Sequence, residues 1–244
     1  YVLIALGFDR RALTASYQYL IMGTIGATFI VISIGLLYQA TGTLNMADIA
    51  ERLPDHGYDR TVIAAFAFLV IGVGLKMALF PLHQWLPNAY TYAPSTVSAF
   101  LAATATKVSV YILLRFLFTV FGVQFSFDIL PTAAPLMILA ILAMFIPSIV
   151  ACFQQNVKKV LAYSSVAQIG YMVLGIGFVT LTGLTAGILH LFNHALMKGA
   201  LFLVLGAVFY RIGSCNIDRM AGLARTMPWT MAAFVGGGLS LIGI

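Results

Sequence analysis

Charge is what this sequence has least of. Only 8% of its 244 residues are Asp, Glu, Lys or Arg, against roughly 25% in an ordinary soluble domain. With 61% hydrophobic residues and a mean hydropathy of +1.01, a soluble fold is excluded and a polytopic membrane protein is implied. Cysteine is nearly missing too. Cys152 and Cys215 have no metal-like spacing and read as apolar fillers or reduced thiols, so a disulfide framework and an iron–sulfur site are both excluded. No Gly-x-Gly-x-x-Gly follows a strand pattern and no haem signature occurs. No cofactor is therefore expected here, and any electron chemistry would belong to partner subunits. The net charge of +6 does not come from a basic cluster interleaved with aromatics, so nucleic acid is not an expected partner.

An initiator Met and a signal-peptide pattern are also absent. "YVLIALGFDRR" reads as the tail of a helix already under way, and "FVGGGLSLIGI" stops in mid-span. Residues 1–244 are therefore expected to form one transmembrane domain truncated at both ends.

What the chain does have is long apolar runs. Runs of about 20 residues cross a hydrocarbon core of about 30 Å. They predict about seven spans in the lipid bilayer: Leu13–Tyr38, one ending near Leu79, Ser95–Phe121, Pro131–Phe153, Tyr163–Thr180, Leu184–Tyr210, and an incomplete one from Pro228 onward. The fold class is an all-α, polytopic helix bundle. One set of loops carries Arg10, Arg11, Lys158, Lys159, Arg211, Arg219 and Arg225, with Asp9 and Asp218. The opposite set carries Asp48, Glu51, Asp55, Asp59 and Asp128, with Arg52 and Arg60. The positive-inside rule places the Arg10–Arg11, Lys158–Lys159 and Arg211–Arg225 loops in the cytoplasm of a multi-pass cell-membrane protein. Arg115 lies close enough to its span's end to snorkel outward.

All seven acids fall in loops, whereas Lys76, Lys107, Lys198, His190 and His194 fall inside spans. Intramembrane ionisable residues cost several kcal/mol each unless they face water, a partner or the bundle interior, which makes them functional candidates. In "GLKMALFPLHQWLPNAYTYAP", Gly74 to Pro94, the segment is longer than a straight span needs. Pro81 and Pro87 each remove a backbone donor, so a discontinuous helix is predicted, with His83 just past the first break. Such a break survives only inside protein or beside a water-filled cavity. Its free carbonyls would hold Lys76, whose proton an approaching anion could switch. Lys107 sits near the middle of a run lined by Ser98, Thr104, Thr106 and Ser109, residues that allow either close helix packing or a chain of waters. His190, His194 and Lys198 recur at i, i+4, i+8 and form one helical stripe. Two histidines at that spacing can share a zinc, but no Glu or third soft ligand accompanies them, so a proton wire is the better reading.

These residues resemble a known family. "KMALFPLHQWLPNAYTYAPSTVSAFLAATATK", "NVKKVLAYSSVAQIGYM" and "HLFNHALMKGALFLVLGAV" are similar, in order, to the antiporter-like proton-translocating subunits of respiratory complex I and of multisubunit Mrp-type cation/proton antiporters. "RRALTASYQYLIMGTIGATF" and "TGTLNMADIA" are most similar to the D subunit of the Mrp type. The resemblance implies about fourteen helices in two inverted five-helix repeats, and partners that are other subunits of an antiporter or complex I-like assembly. It gives Lys76 the role of the lysine in the discontinuous seventh helix, Lys107 that of the connecting lysine of the eighth, and His83 that of the histidine at the break. Lys198 joins the polar axis in the eleventh helix. A glutamate partner would lie before Tyr1 and a twelfth-helix lysine after Ile244. The function implied is relay of protons coupled to a monovalent cation such as sodium. The alternative is outward pumping driven by quinone reduction elsewhere in a complex I-type or related hydrogenase assembly. A purely structural scaffold would instead tolerate methionine at the buried lysines. Finally, Gly72, Gly74 and Leu75 align with Gly236, Gly238 and Leu239, with Ser240 in the place of Lys76 and Ile244 in that of Phe80. This match predicts a second break, with proline next after Ile244 and a charged residue within about half a 20-residue span.

Overall fold

The computed structural model describes residues 1–7, 9–56 and 59–243, so the expected match of Ile244 to Phe80 lies outside the described residues. Eight helices carry the fold: α1 (Arg10–Thr41), α2 (Arg60–Met77), α3 (Trp85–Tyr92), α4 (Ser95–Arg115), α5 (Ala133–Cys152), α6 (Val157–Gly177), α7 (Leu181–Ile212) and α8 (Pro228–Ile242). Six are long and apolar enough to cross a membrane, α4 continuing through a π-helical turn to Val120, and α8 is a shorter apolar helix. Their outward faces carry large apolar side chains such as Phe145, Ile149, Phe192 and Leu196, as a surface solvated by lipid tails requires.

Hydrophobic burial gives no drive between helices that are equally apolar outside, so close packing must come from small residues. Helices α1 and α2 cross where a Cβ on Gly72 would lie 2.8 Å from the Gly26 carbonyl oxygen. Helices α6 and α7 meet where one on Gly175 would lie 2.7 Å from the Gly183 carbonyl oxygen. Helix α4 packs along both α2 and α7, and α3 packs on α1 and α6, which ties the two halves of the bundle together.

The buried apolar residues fall into two clusters. One runs from Leu37, Leu53 and Val62 through Val110, Leu113 and Leu117 to Ile169 and Ile176, at the acidic-loop end. The other joins Ala15, Trp85, Leu86, Ala99, Ala102, Val157, Leu161, Leu201 and Leu205, at the basic end. Helices α4 and α6 contribute buried residues to both, and α7 contributes to the second and packs its partly buried Leu191 against the first. Between the two clusters each turns polar side chains inward: Thr106, Lys107 and Ser109 on α4, Gln168 on α6, His194 and Lys198 on α7.

The predicted helix break is present, but only one proline makes it. Helix α2 ends on Ala78, whose φ of 59° is left-handed, and Pro81 lies in the irregular segment before α3. Pro87, in contrast, is the third residue of α3. First-turn N–H groups have no intrahelical acceptor, so a proline there removes nothing the helix uses. Helix α8 likewise ends on a left-handed residue, Gly243 at φ 96°.

Candidate functional site

The three ionisable residues of the α7 stripe do turn to one side. Lys198 is fully buried, and its Nζ crosses to α6 to donate to the Leu161 carbonyl at 2.9 Å. Ser165 donates to the same carbonyl at 3.0 Å. His194 is also fully buried, and neither ring nitrogen has a hydrogen-bond partner. His190 stacks on it at 5.9 Å between ring centroids, and the Tyr171 ring meets His190 edge-on at 6.0 Å. On α4, which packs along α7 with Ala103 against Gly199, Lys107 is 5% exposed and donates to the Ala102 carbonyl. No carboxylate pairs with any of these groups; the one ion pair among the described residues is His56 with Asp59 at 2.9 Å, outside the spans.

An unpaired buried polar atom is costly, and native interiors hold few of them. Here they concentrate: Thr106 Oγ1, Gln168 Oε1, His190 Nε2 and both nitrogens of His194 lie in the layer between the two apolar clusters. A cavity of about 840 Å³ opens beside them between α6, α7 and α8, lined among others by Ser164, Gln168, Tyr171, His190, Asn193 and Ser240. That volume can hold many waters, and the site offers the several polar partners each one needs. Chemically, the layer is a string of amines, imidazoles and hydroxyls with no fixed counter-charge. No group of three metal-ligating side chains occurs among the described residues.

The other candidates lie elsewhere. Lys76, expected to sit in the mouth of the break, is exposed at the end of α2, with its stem near Gly26 of α1. One of the carbonyls at the break is already taken: Trp85 Nε1 donates to the Leu75 carbonyl at 2.9 Å. The break is further closed by Leu79 N to Gly74 O at 3.0 Å and Ala78 N to Leu75 O at 3.3 Å, the reversed bonds of a left-handed helix end. His83 stacks on Phe80 at 5.3 Å and leaves Nδ1 buried without a partner. Among the hydroxyls of α4, Ser98, Thr106 and Ser109 face inward, but Thr104 is exposed and bonds only its own helix, at the Phe100 carbonyl. It does not line the lysine.

Two contributors were not foreseen. Trp85 satisfies the break, and Tyr19 braces its ring edge-on at 5.0 Å. Lys158, read as a loop charge, is a buried residue in the first turn of α6. The Trp could have been suspected from a broken helix needing a donor. Nothing in the order "KK" says which lysine turns in.

The whole chain, residues 1–244, matches the family described as NADH:quinone oxidoreductase/Mrp antiporter, transmembrane, and the protein belongs to it. It is 46% identical over its full length to the N subunit of the NADH-quinone oxidoreductase of Desulforudis audaxviator, covering 48% of that protein. It is 34% identical to the D subunit of the Na(+)/H(+) antiporter of Alkalihalophilus pseudofirmus, over all of this chain and 49% of that one. Among solved structures, it superposes on a chain of the membrane-bound sulfane sulfur reductase, an archaeal respiratory membrane complex, with a TM-score of 0.91 at 32% identity. The match covers the whole chain and 49% of that one. A chain of the Mrp complex from Dietzia sp. gives 0.87 at 31% identity, covering 97% and 43%. The chain thus spans about half the length of the relatives it matches. The expected all-α membrane fold and its family are both established.

Proposed function

We propose that these residues form the proton-conducting part of a subunit of a multisubunit monovalent cation/proton antiporter. One observation carries the reading: Lys107, His190, His194 and Lys198 from two helices converge in a polar layer between two apolar clusters, with no carboxylate ion-paired to them among the described residues. Charged groups are not kept at membrane depth for stability, since an apolar replacement is usually neutral or better. The layer runs across the bundle and suits proton transfer parallel to the membrane, with water in the adjoining cavity. In this reading residues 1–244 are one domain, the partners are other subunits of the assembly, and Lys76 and His83 extend the relay toward the break. Lys76 then needs a counter-charge from outside this chain.

The test uses the full-length subunit in its complex. Lys107→Ala and Lys76→Ala should each leave membrane assembly normal and lower sodium/proton exchange in everted vesicles by roughly tenfold or more, as expected of lost acid–base carriers. Near-normal exchange in both would defeat the assignment. A second reading, a proton-pumping subunit of a quinone-reducing complex, is favoured by the 46% identity to the N-subunit relative. Proton uptake driven by NADH, with no response to sodium, would select it, and the same lysines would carry the protons.

A further inference from the structure

The pair Lys158–Lys159 reads in sequence as two equivalent charges on a basic loop, and the structure splits it. Lys159 is half-exposed; Lys158 is 5% exposed and turns into the bundle. Its Nζ donates to Ser95 Oγ of α4 at 3.0 Å and lies 5.1 Å from the centroid of the Phe209 ring of α7. Its backbone N–H is held by the capping Asn156 side chain at 2.9 Å. The amine therefore sits at the positive end of α6, where a cation is disfavoured, and no carboxylate within the described residues forms an ion pair with it. A lysine retained there for helix stability would be the wrong charge at the wrong end.

We propose that Lys158 is the port through which protons pass between the basic face and the buried relay. The inference rests on the relay reading above. Outward, Lys158 lines a cavity of about 430 Å³ together with Asp9, Tyr92, Ser95, Asn156 and Cys215, a volume well beyond what one water needs. Its mouth is fixed by backbone bonds between two loops, Val157 N to Cys215 O at 2.9 Å and Ile217 N to Gln155 O at 3.0 Å. Burial pushes the Cys215 thiol up, so it stays neutral and offers Lys158 no counter-charge. The other charges at the rim are Asp9, which lines the cavity without forming an ion pair to Lys158, and Arg11, set over the Tyr92 ring at 6.0 Å. Inward, the Leu161 carbonyl that holds Lys198 is one helical turn from Lys158 on α6, a rise of about 4.5 Å. The proton arrives from water in the outer cavity onto the free amine of Lys158. It leaves through the Ser95 hydroxyl, its hydrogen-bond partner, and then by way of intervening water to the amine of Lys198, and Lys158 is then free to accept the next. One N–H bond breaks as another forms, and no net charge is left behind.

The experiment compares Lys158→Met, Lys158→Arg and Lys158→His in the full-length subunit assembled in its complex, following exchange in everted vesicles against pH. Lys107→Met and Lys198→Met serve as references for the relay itself. The port requires that Met and Arg both lower exchange by roughly tenfold, because neither hands on a proton at neutral pH. His should recover part of the rate, with its pH profile displaced toward the imidazole range. If Arg keeps the rate within about twofold, Lys158 is only an anchor for Ser95 and Phe209, and the port is overturned. Should Met fail to assemble, Arg against His still decides, since both can carry the charge. Full rates in Lys107→Met and Lys198→Met would overturn the relay reading. Dead references beside active Lys158 variants would overturn the port alone.

Discussion

Two lysine neighbourhoods in this protein differ in what closes the helix around them. Lys107 and Lys198 sit on continuous stretches of α4 and α7 and are held inside by carbonyls of Ala102 and Leu161. Lys76 sits on the last turn of α2, beside an interrupted backbone that should have offered it carbonyls in plenty. Yet the interrupted helix is the one whose lysine points out. A break does not by itself create a site for a cation: its carbonyls are available only if nothing nearer claims them, and the Trp85 indole claims the Leu75 carbonyl first. In the unbroken helices the lysines find carbonyls by reaching along the helix, as Lys107 does, or across to a neighbour, as Lys198 does.

The comparison can be broken most forcefully at the histidines. His194 is fully buried with both nitrogens unpartnered, whereas His190 borders the 840 Å³ cavity and the Tyr171 ring. If the inner neighbourhood conducts, His194→Gln in the full-length subunit should lower exchange by roughly tenfold. His190→Gln, which cavity water can replace, should cost only about threefold. Equal effects in vesicle assays would mean that burial does not rank the carriers. Trp85→Phe comes next and probes the other neighbourhood. It keeps the ring but removes one of the two donors to the Leu75 carbonyl and leaves Ala78 N–H as the other, which should destabilise the assembled subunit by about 0.5–1.5 kcal/mol. Heat inactivation of the purified complex reads this directly, and an unchanged profile would show that the break does not depend on its indole. The smallest effect distinguishes two hydroxyls on one helix. Thr106→Val removes a buried, unpartnered Oγ1 beside Lys107, and Thr104→Val alters an exposed residue that bonds only its own helix. The first should slow exchange by about twofold or less and the second not at all, as expected of a water-holding group rather than a proton carrier. A larger loss at Thr104 would put the lipid-facing side of α4 in the path.

The helices themselves were largely legible, because a span is written as a run of about 20 apolar residues and little else competes with that signal. The stripe of His190, His194 and Lys198 was legible too, since i, i+4, i+8 on a helix leaves one geometry. What escaped depends on rotation and on distant partners. Lys158 and Lys159 are separated by about 100° around α6, and only packing against Ser95 and Phe209 decides which of them is inside. Thr104 escaped for a related reason, because a run of small hydroxyls marks a helix without marking its inner face. Pro87 looked like a second break because a proline's cost depends on whether its turn is the first, and that in turn depends on where the helix restarts. Lys76 is exposed while Trp85, from across the break, occupies the Leu75 carbonyl, and no local motif records that pairing. The second break expected after Ile244 rests on a short glycine match and lies outside the described residues.

The central claim is that Lys107 and Lys198, on different helices, belong to one path. The most direct measurement is sodium/proton exchange in everted vesicles for Lys107→Met, Lys198→Met and the double variant, each in the full-length subunit at matched assembly. Carriers in series act as a unit, and the losses of such residues do not add. Each single variant should lose roughly tenfold, and the double variant should lose no more than the worse of the two. A double variant about a hundredfold down, the product of the single losses, would mean two independent routes and would contradict the account.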